Sequence, residues 1–105
     1  MKESIIETYF VKQVKAAGHE TRKLKWIAAK DAPDRVLMVK ARKQAPGLDC
    51  AWCNPIGRTI WVELKATGEK PRASQLREHE RMRAAGQTVV VIDSKEGVDK
   101  LLEAL

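Results

Sequence analysis

The run Arg58-Thr-Ile-Trp-Val-Glu-Leu-Lys-Ala-Thr-Gly-Glu-Lys-Pro71 constrains this chain more than any other, because a β-forming segment carries an acid and a base in its own interior. Alternation with period two places Trp61, Glu63 and Lys65 on one face and Ile60, Val62, Leu64 and Ala66 on the other. Apolar residues on both sides imply that both faces are covered. A desolvated Glu-Lys pair then needs a compensating partner, and a divalent cation held by the carboxylate is one. Upstream, Asp34 follows Pro33 and heads the apolar run Arg35-Val-Leu-Met-Val39, which brings a second carboxylate to the start of a neighbouring strand. Two acids and a lysine converging at sheet ends are the minimum equipment for metal-assisted hydrolysis of a phosphodiester. A surface Glu-Lys pair on an edge strand, with a turn or capping aspartate, fits the same spacing.

At 105 residues the chain is one domain's worth, and residues 1–105 are read as a single unit able to bury a core without staples. Twenty Lys and Arg against 14 Asp and Glu give a formal charge of +6, which favours a polyanionic partner without separating a binder from an enzyme. No apolar run approaches membrane-spanning length, so no membrane partner is expected. The start Met1-Lys-Glu-Ser4 resembles neither a signal nor a transit peptide, and the expected location is the cytoplasm.

In chain order, Glu3 to Ala17 reads as a helix with Ile5, Ile6, Tyr9, Phe10 and Val14 on one face and Gly18 at its end. Glu7 sits at the rim of that face, as a solvated glutamate or as one that reaches the sheet. Glu20 to Ile27 reads as a partly exposed strand whose basic side carries Arg22, Lys23 and Lys25. Pro33 fixes the approach to Asp34, while Asp31 lies in the looser part of the turn and reads as solvated. The stretch from Lys40 to Gly57 is irregular, a long excursion between strands with short extended pieces near Ala51 and Trp52. Its Lys40, Arg42 and Lys43 suit a phosphate backbone. Cys50 and Cys53 have C-x-x-C spacing, but neither His19 nor His79 lies in a partner motif for zinc, and Asn54-Pro55 is not the helix start that a redox pair requires. Ordinary reduced cysteines fit them best.

Beyond the central strand, 67–71 is a loop, Ser74 a cap, and Gln75 to Ala85 a helix stopped by Gly86. Gln75, His79 and Met82 share a side of it, with Arg72, Arg77 and Arg81 adding positive charge nearby. Gln75 is either a hydrogen bonder at the helix start or a group facing Glu63 and Lys65; His79 reads as a packing residue. Thr88 to Ile92 is a nearly all-apolar strand suited to burial on both faces, and Val98, Leu101, Leu102 and Leu105 line a last helix. The resulting order of helix, three strands, helix, strand, helix predicts an α/β fold with a mixed central β-sheet flanked by helices.

Asp31-Ala-Pro-Asp-Arg35, Trp61-Val-Glu-Leu-Lys-Ala66 and Lys70-Pro-Arg-Ala-Ser-Gln75, in that order, resemble the VRR-NUC family, the virus-type replication and repair nuclease module of the PD-(D/E)xK nuclease superfamily. The likeness covers essentially the whole chain. It implies a restriction-endonuclease-like core and a DNA endonuclease using magnesium or manganese. In that pattern Asp34 and Glu63 hold the metal, Lys65 is the third core residue, Glu7 completes or orients the metal site and Gln75 supports it. Small stand-alone members look like phage or bacterial proteins that form homodimers and act on branched DNA such as four-way junctions. Two positions depart from the pattern: Ala32 stands where glycine is usual, and Arg35 where an apolar residue is common.

Residues 22, 23, 25, 40, 42, 43, 72, 77 and 81 are candidate phosphate contacts, which position a duplex without reading its bases. Trp52, Ile56, Trp61 and the last helix offer apolar surface for a two-fold interface or for the chain's own core. The main rival reading is a nucleic-acid-binding protein with a nuclease-like fold and no catalysis; a thiol-redox module would account only for Cys50 and Cys53.

Overall fold

A computed structural model describes residues 1–40 and 57–105. They form α1 (Glu3–Ala16), β1 (Glu20–Lys23), β2 (Arg35–Val39), β3 (Arg58–Leu64), α2 (Ala73–Ala84), β4 (Thr88–Ile92) and α3 (Lys95–Glu103), the order expected from the sequence. The readings made on Arg42, Lys43, Cys50, Ala51, Trp52, Cys53 and Ile56 lie outside the described residues.

The four strands lie in the order β1-β2-β3-β4. The first three pair antiparallel, whereas β3 and β4 run parallel and so need the α2 crossover between them. The period-two reading of β3 holds: Ile60, Val62 and Leu64 are buried in a core with Leu37, Ile92, Val98 and the Ile6, Phe10 and Val14 stripe of α1. α1 and α3 therefore cover one face of the sheet. α2 lies toward the other, and what it buries is Gln75 and His79 rather than aliphatic side chains. Polar groups thus sit where a second hydrophobic layer would otherwise form.

Three local expectations change. β4 is an edge strand, with Val89 and Ile92 buried but Val91 exposed, because it has a hydrogen-bonded neighbour on one side only among the described residues. β1 ends at Lys23, short of Ile27; the Leu24 N–H still reaches the Asp34 carbonyl at 2.7 Å, after which the chain leaves the sheet. α2 begins at Ala73, and Ser74 does not cap it. The Ser74 hydroxyl donates to Asp31 Oδ1 at 3.1 Å, and the side-chain oxygen of Gln75 accepts the backbone N–H of Arg72 at 2.9 Å. Gly18 and Gly86, at φ of 83° and 84°, follow α1 and α2 in the left-handed conformation that glycine adopts without strain. No helix of the described residues is long and apolar enough to cross a membrane.

Candidate active site

The β2–β3 ladder sets Val36 against Trp61 and Arg35 against Val62 and ends there; Asp34 stands just before β2, where carrying the register on by one residue brings it level with Glu63, and its charge acts on that carboxyl. Residues directly opposed on antiparallel strands project to the same face, so the two acids emerge together on the α2 side. Glu63 is buried, with 6% of its surface exposed. Burial pushes its carboxyl up to about 7; the nearby Lys65 charge works against this, and the Asp34 charge adds to it.

Gln75 organises what surrounds Glu63. Its Nε2 donates to Glu63 Oε1 at 2.7 Å, and its Oε1 accepts from Lys65 Nζ at 2.9 Å as well as from the Arg72 N–H. Lys65 Nζ stands 3.6 Å from Glu63 Oε1. Of the two readings open for Gln75, both apply: it closes the start of α2 and also holds the Glu63–Lys65 pair. The sequence pattern suited this placement because α2 follows β3 after a short loop and returns across the same face.

Arg35 points the other way, with Val62, toward α1. There it meets Glu7, Arg35 Nε to Oε2 at 3.3 Å, and Lys23 Nζ adds a second contact to Oε1 at 3.5 Å. The arginine that departs from the usual apolar residue has thus acquired an acidic partner. The structure does not bring Glu7 into a cluster with Asp34 and Glu63, and among the described residues no three His, Cys, Asp or Glu side chains converge closely enough to hold a metal. The α1 acid whose charge reaches Glu63 is Glu3, one turn earlier. That end of the helix is docked beside the site, since the Thr67 N–H donates to the Met1 carbonyl at 3.0 Å. Sequence reasoning did not single out Glu3, because helical periodicity does not say which end of a helix meets which end of a strand.

The donor set, a desolvated Glu63 carboxyl with the Asp34 carboxylate in its electrostatic neighbourhood, fits a hard divalent cation that keeps much of its water, as Mg2+ does with one or two protein carboxylates.

Comparison with known proteins agrees with this geometry. No family model matches the chain. Over 96 residues it is 34% identical to "Putative nuclease p44" of Acyrthosiphon pisum secondary endosymbiont phage 1, which spans 91% of this chain and 87% of that one. A solved VRR_NUC domain matches with a TM-score of 0.74 and 31% identity, covering 98% of this chain and 97% of that one. The chain belongs to the VRR-NUC family. Its mixed sheet with flanking helices is the restriction-endonuclease-like α/β core.

Around this VRR-NUC site, Asp31 is not the solvated residue expected: it accepts from Ser74 and pairs with Arg72 at 3.6 Å, tying the loop before β2 to the start of α2. His79, one turn beyond Gln75, is fully buried with neither ring nitrogen hydrogen-bonded among the described residues, and burial, with Arg83 second, pushes its pKa down. It is a neutral packing group, as read from the sequence. Among the candidate phosphate contacts, Arg22, Lys23, Arg72 and Arg81 are exposed but are paired with Glu20, Glu7, Asp31 and Glu78 respectively. Lys25, Lys40 and Arg77 are exposed as well.

Proposed function

We propose that the chain is a divalent-metal-dependent DNA endonuclease, using Mg2+ or Mn2+ held by Asp34 and Glu63, that hydrolyses phosphodiester bonds in branched DNA such as four-way junctions. The observation that carries this reading is the buried Glu63 with Lys65 locked beside it by Gln75, and with Asp34 at the head of β2 near enough for its charge to act on Glu63. A bound cation supplies positive charge to the scissile phosphate and acidifies water. Asp34 and Glu63 give the oxygen ligands. Gln75, by holding one oxygen of Glu63, leaves the carboxylate a single orientation. Lys65 places its ammonium where charge develops on the phosphoryl oxygens or where the attacking water must be aligned. From α1 we assign the supporting acid to Glu3, while Glu7 fastens the head of β2 to the helix through Arg35.

Selectivity for DNA shape rather than sequence is supported by a basic inventory that contains no recognisable base-reading motif. The working unit is a two-fold homodimer, since the described residues of each chain form one such site and a symmetric junction presents two strands to cut. The phage relative suits a protein that works in bacterial cytoplasm.

The test is cleavage of single-stranded, duplex, flap and four-way DNA, with and without Mg2+ or Mn2+, by the wild-type chain and by Asp34→Ala. Metal-dependent cutting that peaks on the junction and vanishes in the variant, with DNA binding retained, is the expected result. Salt-sensitive binding without any cutting would establish the non-catalytic alternative.

A further inference from the structure

The segment between β1 and β2 runs over the face of the sheet that carries the two acids, and it is fastened at several points. The Leu24 N–H holds the Asp34 carbonyl, the Trp26 indole N–H donates to the Pro33 carbonyl at 2.6 Å, and the Trp26 ring lies against that of Trp61 at 5.6 Å between centroids. At the far end, the Ala32 N–H donates to the Ala29 carbonyl, and Asp31 is bound to Ser74 and Arg72 of the α2 start. From this anchored base Ile27 projects with a relative exposure of 104%, the most exposed large hydrophobic residue among the described residues. Single exposed aliphatics are common on protein surfaces and need no function. This one differs in its setting. The residue before it is fixed to the carbonyl that precedes Asp34, and exposed lysines at 25 and 30 flank it.

We infer that Ile27 is a wedge that enters the base stack of bound DNA next to the scissile phosphate, with Lys25 and Lys30 on the flanking backbone. Apolar side chains inserted at a base step unstack and kink it, at a cost that falls where the stack is already interrupted. A wedge beside the acids would therefore favour branch points, nicks and flaps over continuous duplex. The inference rests on the nuclease reading for the identity of the occupant. A fixed root is what insertion requires, because a loop free to fold away would yield instead of parting two bases.

The probe is a four-way junction, and a continuous duplex, carrying 2-aminopurine at successive positions and bound by the Asp34→Ala chain. Fluorescence is expected to rise at one step of the junction, to lose that rise when Ile27→Ala is added, and to keep it with Ile27→Leu. With Asp34 intact, Ile27→Ala should lower the ratio of junction to duplex cleavage by roughly tenfold. Unchanged fluorescence and an unchanged ratio in Ile27→Ala would overturn the wedge. So would a dimer mass in sedimentation that falls to monomer in Ile27→Ala while the fluorescence rise persists, since the tip would then contact a second copy of the chain. A wild-type chain that cuts with metal but unstacks no base removes the wedge and leaves the nuclease; one that unstacks a base but never cuts does the reverse.

Discussion

Gln75 Nε2 and Glu63 Oε1 lie 2.7 Å apart, a buried amide-to-carboxylate hydrogen bond that joins α2 to β3 and fixes the orientation of the site's most desolvated acid. Because the opposite end of the same amide accepts from Lys65 and Arg72, rotating Gln75 by half a turn would set its oxygen against Glu63 and its nitrogen against two donors. One orientation is therefore enforced.

Gln75→Ala removes all three contacts and leaves Glu63 with one fewer donor in a buried setting. A loss of about 1–3 kcal/mol in stability is expected, together with a fall in turnover of about tenfold or more. Chemical denaturation and single-turnover cleavage measure the two separately. Gln75→Glu should recover little turnover, since it sets a second carboxylate against Glu63. Wild-type turnover in Gln75→Ala would show that the amide serves only the fold.

Glu63 carries a pH signature. Its carboxyl is raised from 4.5 to about 7 in the folded chain, so the folded state holds a proton that the unfolded state has lost between those values. The contribution of this group to stability is present below pH 4.5 and lost as pH rises through 7. Glu63→Gln should therefore gain on the wild type, without metal, by on the order of 1–2 kcal/mol between pH 4.5 and 8, after allowance for screening. Urea midpoints of both chains across that range check it. Excess Mg2+ or Mn2+ should erase the gain, because the ion favours the charged wild-type carboxylate.

His79 has the opposite sign. Its pKa lies below 6.5 when folded, so its contribution is whole above pH 6.5 and is lost as pH falls from there through the folded value. Besides burial and Arg83, Lys65 pushes it down, whereas Glu78 and Glu80 pull it up. His79→Leu, which fills similar space without unpaired nitrogens, should flatten the acid side of the melting-temperature profile between pH 5 and 7. A profile that drops as steeply as the wild type would place the acid sensitivity elsewhere.

The two acids of α1 should separate by readout. Glu3→Gln is expected to lower turnover and raise the metal concentration needed, with little change in melting temperature at an exposed position. Glu7→Gln should lower stability by about 1 kcal/mol, through the loss of charge pairing at partly buried Arg35, with a smaller effect on metal demand. Equal metal titrations for the two variants would remove the distinction.

Much of this was legible in the sequence for specific reasons. The alternation around Glu63 fixed the two faces of β3, the Ile6, Phe10 and Val14 spacing fixed the buried side of α1, and Pro33 with the apolar run after it placed Asp34 at a strand head. What escaped depends on contacts distant in the chain. Thr88 to Ile92 reads as doubly buried by composition, yet strand position is set by which neighbour it pairs with. Ser74 reads as a cap by residue type, yet a carboxylate 43 residues away takes its hydroxyl. Glu3 and Glu7 lie one turn apart, and only the partners that Glu7 finds on Arg35 and Lys23 show that it turns away from Glu63.

The two outer strands among the described residues also bear on how the chain behaves when concentrated. β1 carries Glu20, Arg22 and Lys23, and charge along an edge discourages pairing with another molecule. β4 carries Thr88-Val-Val-Val-Ile92 without a single charge, and Val91 is already exposed beside the buried Glu63 to which it is registered. Among the described strands, residues 88–92 are therefore the ones expected to accept intermolecular strand addition during refolding or at high concentration. A lysine at Thr88 or Val91 would guard that edge, although at Val91 the new charge would stand next to the acids and alter the site it protects.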